Sequence, residues 1–283
     1  MNPRATILIP AFNEEALIAR TLLRVSDGME PGEFQVVVIC NGCKDGTAAA
    51  AQRALPWAEV IETALPGKTN ALNIGHETAR APVRVYMDAD LDVDVQTLRA
   101  LVAPIEAGKV SATYGHMAVD VSNSSFAVRS FYRVWALNPY LAEGKFGGLF
   151  ALSAAQAELI HPLPRVTADD EFIRRNVGAG HATAVENCSF KTRAPSTLGD
   201  LLNIRRRSLR GTRELDQQGL AALETAGTMS GVSILRSLAS RPHLWVSALV
   251  YYAVAIFVRA VVSLEDPDRA PRWERDDSSR RVT

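Results

Sequence analysis

The sequence predicts an α/β protein built on a mostly parallel sheet with helices on its faces. Three observations carry this expectation. Short runs rich in Val and Ile alternate with helix-patterned segments through the first hundred residues, as in chains of βαβ units. Polar, turn-forming clusters follow three of these runs. The fourth run ends in aspartates at alternate positions, Asp88, Asp90, Asp92 and Asp94.

In chain order, Thr6–Ile9 reads as the first strand, and Leu17, Ile18, Thr21, Leu22 and Val25 then recur at helical spacing. Phe34–Cys40, Glu59–Ile61 and Val83–Met87 read as further strands, with a less regular helical pattern at Leu72, Ile74, Gly75 and Thr78. Ligands of such sheets bind beyond the carboxyl ends of the strands. The clusters Pro10–Glu15, Asn41–Gly46 and Asp88–Asp90 occupy three such ends, so they should converge on one site. Phe146–Ser153 reads as a Gly-started strand or loop, and Asp169–Asn176 as a short helix with acids at its start. Residues 191–213 carry Lys191, Arg193, Arg205, Arg206, Arg207, Arg210 and Arg213 against Asp200 alone. Leu244–Leu264 is almost wholly apolar apart from Arg259, and a polar tail follows. The expected division is a catalytic domain over 1–243, an apolar helix over 244–264 and a tail over 265–283.

Composition narrows the function classes. With 283 residues, 47% of them hydrophobic, the chain can bury one large core or two small ones. Its 31 basic and 31 acidic residues cancel, which gives no support to a nucleic-acid-coating protein. Three cysteines are too few for a disulfide framework, and the N-terminus shows no signal-peptide apolar region. A cytoplasmic catalytic part is expected. Cys40 and Cys43 form a C-x-x-C, but the Asn-Gly between them reads first as a turn.

Four aspartates this close repel unless something positive sits among them. A calcium-binding EF-hand loop would need Gly and Glu where Val93 and Arg99 stand. A phosphatase of the D-x-D kind fits poorly too, because Asp92 holds the fifth position and the strand is the fourth. The remaining reading is a clamp for a nucleotide diphosphate: Asp90, with Asp88 beside it, ligating Mg²⁺ or Mn²⁺, hard ions that take carboxylate and phosphate oxygens. Asp94 can cap a helix beginning near Val95, leaving Asp92 solvated.

Taken in order, "ILIPAFNEE", "VVICNGCKDGT", "PGKTNALNIG" and "VYMDAD" resemble the nucleotide-binding half of family 2 glycosyltransferases, which have the GT-A fold. The resemblance covers residues 5 to about 95 and extends with looser motifs to about 213. It implies a nucleotide diphosphate sugar donor (a UDP-sugar first), a hydroxyl-bearing glycan or lipid-linked acceptor, and inversion at the anomeric carbon. It implies that Pro10, Ala11, Asn13 and Glu14 hold the nucleoside, although Glu14 and Glu15 also suit a helix's first turn. Asn41 stands where the family has an Asp, so it can meet a base edge but is no anionic acceptor. Lys68 would balance the diphosphate, or lie exposed in its loop. Gly147 and Gly148 match the acceptor-side loop, where a missing Cβ admits a sugar.

"TADDEF" resembles the motif that supplies the catalytic base, with Asp170 as base and Asp169 its neighbour; the rival reading is a helix start capped by Thr167. Arg207-Ser208-Leu209-Arg210-Gly211 resembles the Q-x-x-R-W segment of processive members, with Arg for Gln and Gly for Trp, which argues against a processive synthase. Arg207 and Arg210 can still hold diphosphate or cover an acidic membrane surface. A catalytically silent sugar-nucleotide-binding protein is the rival from another class.

The apolar segment would be about 31 Å long as a helix, near the thickness of a bilayer core. Arg259 would cost about 2.5–3.5 kcal/mol at mid-membrane. The segment is expected to lie on or dip into the inner leaflet of the cell membrane, or else to pack against the catalytic domain or a second subunit of a homo-oligomer.

Overall fold

The computed structural model describes residues 2–138, 145–178, 180–220, 234 and 237–265. The polar tail from 266 onward and the basic residue Arg236 lie outside the described residues. In order, the elements are β1 (Ala5–Ala11), α1 (Glu15–Ser26), β2 (Phe34–Asn41), α2 (Thr47–Ala54), β3 (Glu59–Thr63), α3 (Lys68–Thr78), β4 (Val83–Met87), α4 (Val95–Glu106) and β5 (Ala112–Asp120). There follow α5 (Phe126–Trp135), β6 (Leu149–Ser153), α6 (Ala154–Ile160), α7 (Asp169–Val177), β7 (Ala182–Arg193), α8 (Leu198–Gln217) and α9 (Trp245–Leu264). The chain divides into two compact units, one formed mainly by Met1–Ala118 and Gly144–Thr192, the other by Val119–Glu143 and Arg193–Ala221 with Thr225–Thr283.

The sheet has the order β3-β2-β1-β4-β6-β5-β7. β1 runs parallel to β2 and β4, and β2 parallel to β3. Every residue of β1 and β2 is buried, as expected of strands covered on both faces. Pro10 is tolerated in β1 because β4 pairs only with Thr6–Leu8 and leaves that end of the strand without a ladder partner on one side. The strand order reverses about β1, which places the crevice at the carboxyl ends of β1 and β4. The three clusters read from the sequence do fall at that edge.

α1 buries Leu17, Ile18, Thr21, Leu22 and Val25, the same five that recur at helical spacing. Asp94 caps α4, its carboxylate accepting from Thr97 N at 2.8 Å. Asp92 is exposed, with Arg24 at 3.4 Å. Two of the four aspartates are therefore accounted for locally. β6 departs from the parallel pattern: it inserts antiparallel between β4 and β5, so Phe146–Ser153 resolves into a glycine turn followed by a strand.

Arg99 meets Glu33 through Nε and Nη2, both at 2.7 Å, and Arg4 reaches the same carboxylate at 3.3 Å. These arginines, Arg99 foremost, hold the Glu33 carboxyl down to about 2. A depressed acid contributes stability above its unfolded value, near 4.5, and that contribution is lost as pH falls toward 2. Glu33→Gln should therefore flatten the acid limb of a stability-versus-pH curve between these values. An unchanged acid limb, followed by circular dichroism, would remove Glu33 from that role.

The second unit packs α9 on α5 and α8. Ser247, Tyr251, Val254, Val258 and Val262 form its buried stripe, and Tyr251 stacks on Phe131 at 5.1 Å. At the helix end, Arg210 grips Glu265 through Nε and Nη2 (2.6 and 2.5 Å), with Arg206 at 3.2 Å. The other face of α9 exposes Trp245, Val246, Leu249, Ile256 and Phe257.

Candidate active site

Lys68 is the positive group beside Asp88, as Arg24 is beside Asp92 and Asp94. It opens α3, and its Nζ lies 2.8 Å from Asp88 Oδ1 and 3.0 Å from Asp169 Oδ2. β4 delivers Asp88 from the sheet edge and α7 delivers Asp169 in its first turn. Burial opposes the charge on Lys68, but Asp169, Asp88 and Asp170 outweigh it and hold the ammonium's pKa above its usual range. Asp169 is buried, which pushes its pKa up to about 6 against the pull of Lys68. Asp170 is less enclosed. Its Oδ2 lies 3.8 Å from Lys145 Nζ, and its Oδ1 accepts from Glu171 N.

The helix-start reading of the acids is only partly met. Ala168, rather than Thr167, is the N-cap of α7, and it makes no side-chain cap bond. The acids still benefit from the helix dipole, and Glu171 is tied to Arg174 and Arg175 at 2.8 and 2.9 Å.

Gly148 has a specific steric duty here. It sits at φ +93°, and a Cβ on it would come 2.5 Å from Asp88 Oδ2. Its carbonyl accepts from Asp88 N at 3.0 Å. Gly147, at φ +58°, would direct a Cβ toward Met117 Sδ. The pair read from the sequence as the acceptor-side loop thus also makes room for the strand-end carboxylate.

The first two loops are knitted together by short polar links. Asn41 is buried; its Nδ2 donates to Ala11 O at 2.8 Å and its Oδ1 accepts from Gly67 N at 3.1 Å. An Asp could not donate to Ala11, so the departure from the family pattern has a local structural use. Asn13 adopts φ +53°, a conformation Asn tolerates better than most side chains, and its Oδ1 accepts from Lys44 N at 2.7 Å. Cys43 Sγ accepts from Asn13 N at 3.3 Å, whereas burial pushes Cys40 up to about 12. Cys40 is thus the opposite of an activated redox thiol. Glu14 N donates to Thr47 Oγ1 at 2.8 Å. Asp90 is half-buried, and the preceding Ala89 carbonyl is anchored by Thr21 Oγ1 at 2.8 Å.

Among the described residues no group of three or more His, Cys, Asp or Glu is placed to hold a metal. Asp88 and Asp90 nevertheless fit a divalent ion whose remaining ligands are phosphate oxygens and water, the usual division for Mg²⁺. Gly148, lacking a Cβ, leaves room for the Asp88 carboxylate at this edge. Sequence reasoning found Lys68, Asp88 and Asp169 separately. It missed that one ammonium joins them, and it missed Lys145, which directly precedes the Phe146-Gly147-Gly148 loop.

A switch-point crevice that gathers strand-end carboxylates, a lysine and a helix-borne acid pair has the attributes of a glycosyltransferase with the GT-A fold. The Glycosyl transferase family 2 profile matches residues 6–152, just over half of the 283, and the chain belongs to that family. It is 33% identical over 110 residues to an undecaprenyl-phosphate 4-deoxy-4-formamido-L-arabinose transferase of Pseudomonas fluorescens, covering 36% of this chain and 32% of that protein. A transferase of the same name from Shewanella sediminis is 34% identical over 112 residues, covering 36% and 33%. The match thus spans about a third of the length of these curated relatives.

Among solved structures, a mannosyltransferase from Pyrobaculum calidifontis in complex with GDP-Man and Mn²⁺ superposes with a TM-score of 0.62 at 21% identity, covering 94% of this chain and 77% of that one. Glucosyl-3-phosphoglycerate synthase from Mycobacterium tuberculosis with Mn²⁺ and UDP-glucose gives 0.56 at 18%, covering 79% and 81%. At these identities the superpositions establish the fold.

Proposed function

We propose that the protein transfers a sugar from a nucleotide diphosphate sugar, a UDP-sugar first among them, to the hydroxyl or phosphate oxygen of a lipid-linked or glycan acceptor, with inversion. The observation that carries this reading is the Lys68 bridge, which brings Asp88 of the donor side and Asp169 of the acid pair to one cation. Asp90 and Asp88 would hold Mg²⁺ or Mn²⁺, which when bound supplies positive charge for the leaving diphosphate. Pro10, Ala11, Asn13, Glu14 and Asn41 line the nucleoside side, with Lys68 as the protein's own counter-charge to the phosphates. Asp170, the more open of the acid pair, takes the proton from a hydroxyl acceptor, and an already ionised phosphate acceptor needs none. Asp169 keeps Lys68 in place. Gly147 and Gly148 border the acceptor. The printed names of the curated relatives favour a polyprenyl phosphate acceptor.

A panel of nucleotide sugars, with and without Mn²⁺, assayed against a polyprenyl phosphate in vesicles, tests the reading and identifies the donor. Metal-dependent transfer to the lipid is expected. Donor binding with neither hydrolysis nor transfer would instead mark a silent binding protein.

The same reading places the protein in the cytoplasm against the inner face of the membrane. Pro242–Leu264 is long and apolar enough to cross a bilayer, with mean hydropathy 1.9. Yet α9 is buried along one whole side against α5 and α8, so spanning would strip that side from its own unit. An in-plane helix with Trp245, Leu249, Ile256 and Phe257 turned to lipid keeps both contacts. Nearby basic residues contribute about 1 kcal/mol each at an anionic surface. Removing α9 would uncover Phe131 and is a poor test. Leu249→Glu with Ile256→Glu should move the protein from the membrane to the soluble fraction without loss of helix. If the unaltered protein is soluble without detergent and these changes split an oligomer, the face is a subunit contact.

A further inference from the structure

A second lysine stands beside the acid pair. Lys145 precedes a tight turn over 146–149, closed by Leu149 N donating to Phe146 O at 3.3 Å. Its two central residues, Gly147 and Gly148, both hold positive φ, which glycine adopts at no steric cost. Phe146 anchors the turn: it is 1% exposed, and its ring lies 5.5 Å from Tyr114 and 4.8 Å from Phe150. The lysine stem lies against the turn, since a Cβ on Gly147 would come 3.8 Å from Lys145 Cγ.

Asp170 is held as firmly, in the first turn of α7, where Phe172 and Ile173 are buried. Lys145 Nζ lies 3.8 Å from Asp170 Oδ2, a charge contact longer than a hydrogen bond. Both side chains keep part of their surface exposed, 24% and 29%. The two acids of the pair thus have a lysine each, Asp169 meeting Lys68 and Asp170 meeting Lys145.

Asp88 and Asp170 both act on Asp169 as like charges, so negative charge crowds this edge of the site. An anionic acceptor approaching Asp170 is repelled unless a cation stands with it. A neutral hydroxyl has no such need. For it, an ammonium at this place competes with the acceptor's own proton for the Asp170 carboxylate. The position of Lys145 therefore favours an acceptor that arrives charged and needs no base.

We propose that Lys145 is the acceptor-specificity residue, its ammonium taking a phosphomonoester whose own oxygen attacks the sugar. The inference rests on the sugar-transfer reading and narrows its acceptor. The P–O⁻ forms the new bond to the anomeric carbon as the bond from that carbon to the donor's diphosphate breaks. The nucleoside diphosphate leaves with the electron pair, and no proton changes hands. An ammonium carries three N–H groups, enough to face a carboxylate and phosphate oxygens together. With such an acceptor Asp170 positions Lys145 rather than taking a proton.

Equilibrium binding of farnesyl phosphate to the full chain in nonionic detergent micelles tests this without turnover, with farnesol as the uncharged control. The unaltered protein should bind the phosphate more tightly than the alcohol, a comparison that needs no variant. Lys145→Met should weaken farnesyl phosphate about tenfold or more, the weight of a charged hydrogen bond, and leave farnesol unaffected. Lys145→Arg keeps the charge and should restore most of the affinity. Nucleotide-sugar affinity should be the same in both variants, and in transfer assays the loss should fall on KM for the phosphate acceptor more than on kcat. Glycerol phosphate separates the two sources of the group: weaker binding than farnesyl phosphate identifies a lipid-borne ester, equal or tighter binding a soluble one. Equal affinity for farnesol and farnesyl phosphate, unchanged phosphate affinity in Lys145→Met, or a matching loss of nucleotide-sugar affinity would overturn the proposal. Transfer to an alcohol alongside any of these results leaves the sugar-transfer reading standing. Lys145-dependent phosphate binding without transfer to any acceptor counts against that reading and supports the role of Lys145.

Discussion

Asp170→Asn is expected to bind donor normally and to lose transfer to a hydroxyl acceptor by about 10²–10⁴-fold, the usual weight of a general base. The geometry separates the two acids. Asp169 is buried and in direct contact with Lys68, whereas Asp170 is more open and lies 3.8 Å from Lys145. Asn preserves the size of the side chain and its acceptor for Glu171 N, so α7 should remain intact. Single-turnover rates with saturating donor would isolate the chemical step. If Asp169→Asn is the inactive variant and Asp170→Asn turns over normally, the roles are reversed. Asp169→Asn has its own signature. It removes the buried carboxylate that meets Lys68 at 3.0 Å, so its thermal midpoint should move more than that of Asp170→Asn.

Asp90→Asn is expected to weaken metal-dependent donor binding by more than about 100-fold, since even partners outside a metal's own ligands are worth about 10–100-fold. The fold should survive, because Asp90 follows a strand end and its neighbour Ala89 is fixed independently by Thr21. Asp88→Asn is a less clean experiment, because it also breaks the contact with Lys68. Calorimetry with Mn²⁺ and donor together reads the effect directly. Unchanged affinity in Asp90→Asn would remove that residue from the metal site.

Much of the first unit was legible in the chain. β1, β2 and β4 were found because two-faced burial demands continuous apolar residues, the half-exposed edge strand β3 from its short Val-Ile core, and α1 because its five buried positions repeat at helical spacing. The real strands run one or two residues further, into Ala11, Asn41 and Thr63, where ladder pairing continues after hydrophobicity stops. β5 and β7 were not read, because their outer halves are partly exposed and their composition is mixed. Asp94 was legible as a cap because that role is settled within a few residues of sequence, and Asp92 is exposed as read, but its neighbour Arg24 comes from a distant part of the chain.

What the sequence by itself determined is therefore local: element type, chain order, and the rule that polar loops after parallel strands share an edge. Tertiary structure alone decided the rest. Asp88 and Asp169 come from opposite halves of the sequence, and no pattern states that one ammonium will hold both. The antiparallel insertion of β6 is what seats Gly148 against Asp88. The apolar segment was evident from composition, but only packing shows that one side of it is buried in its own unit. The physical reason is common to all three. Side-chain periodicity records which face of an element avoids water, whereas the partner it meets depends on contacts whose separation along the chain leaves no local trace.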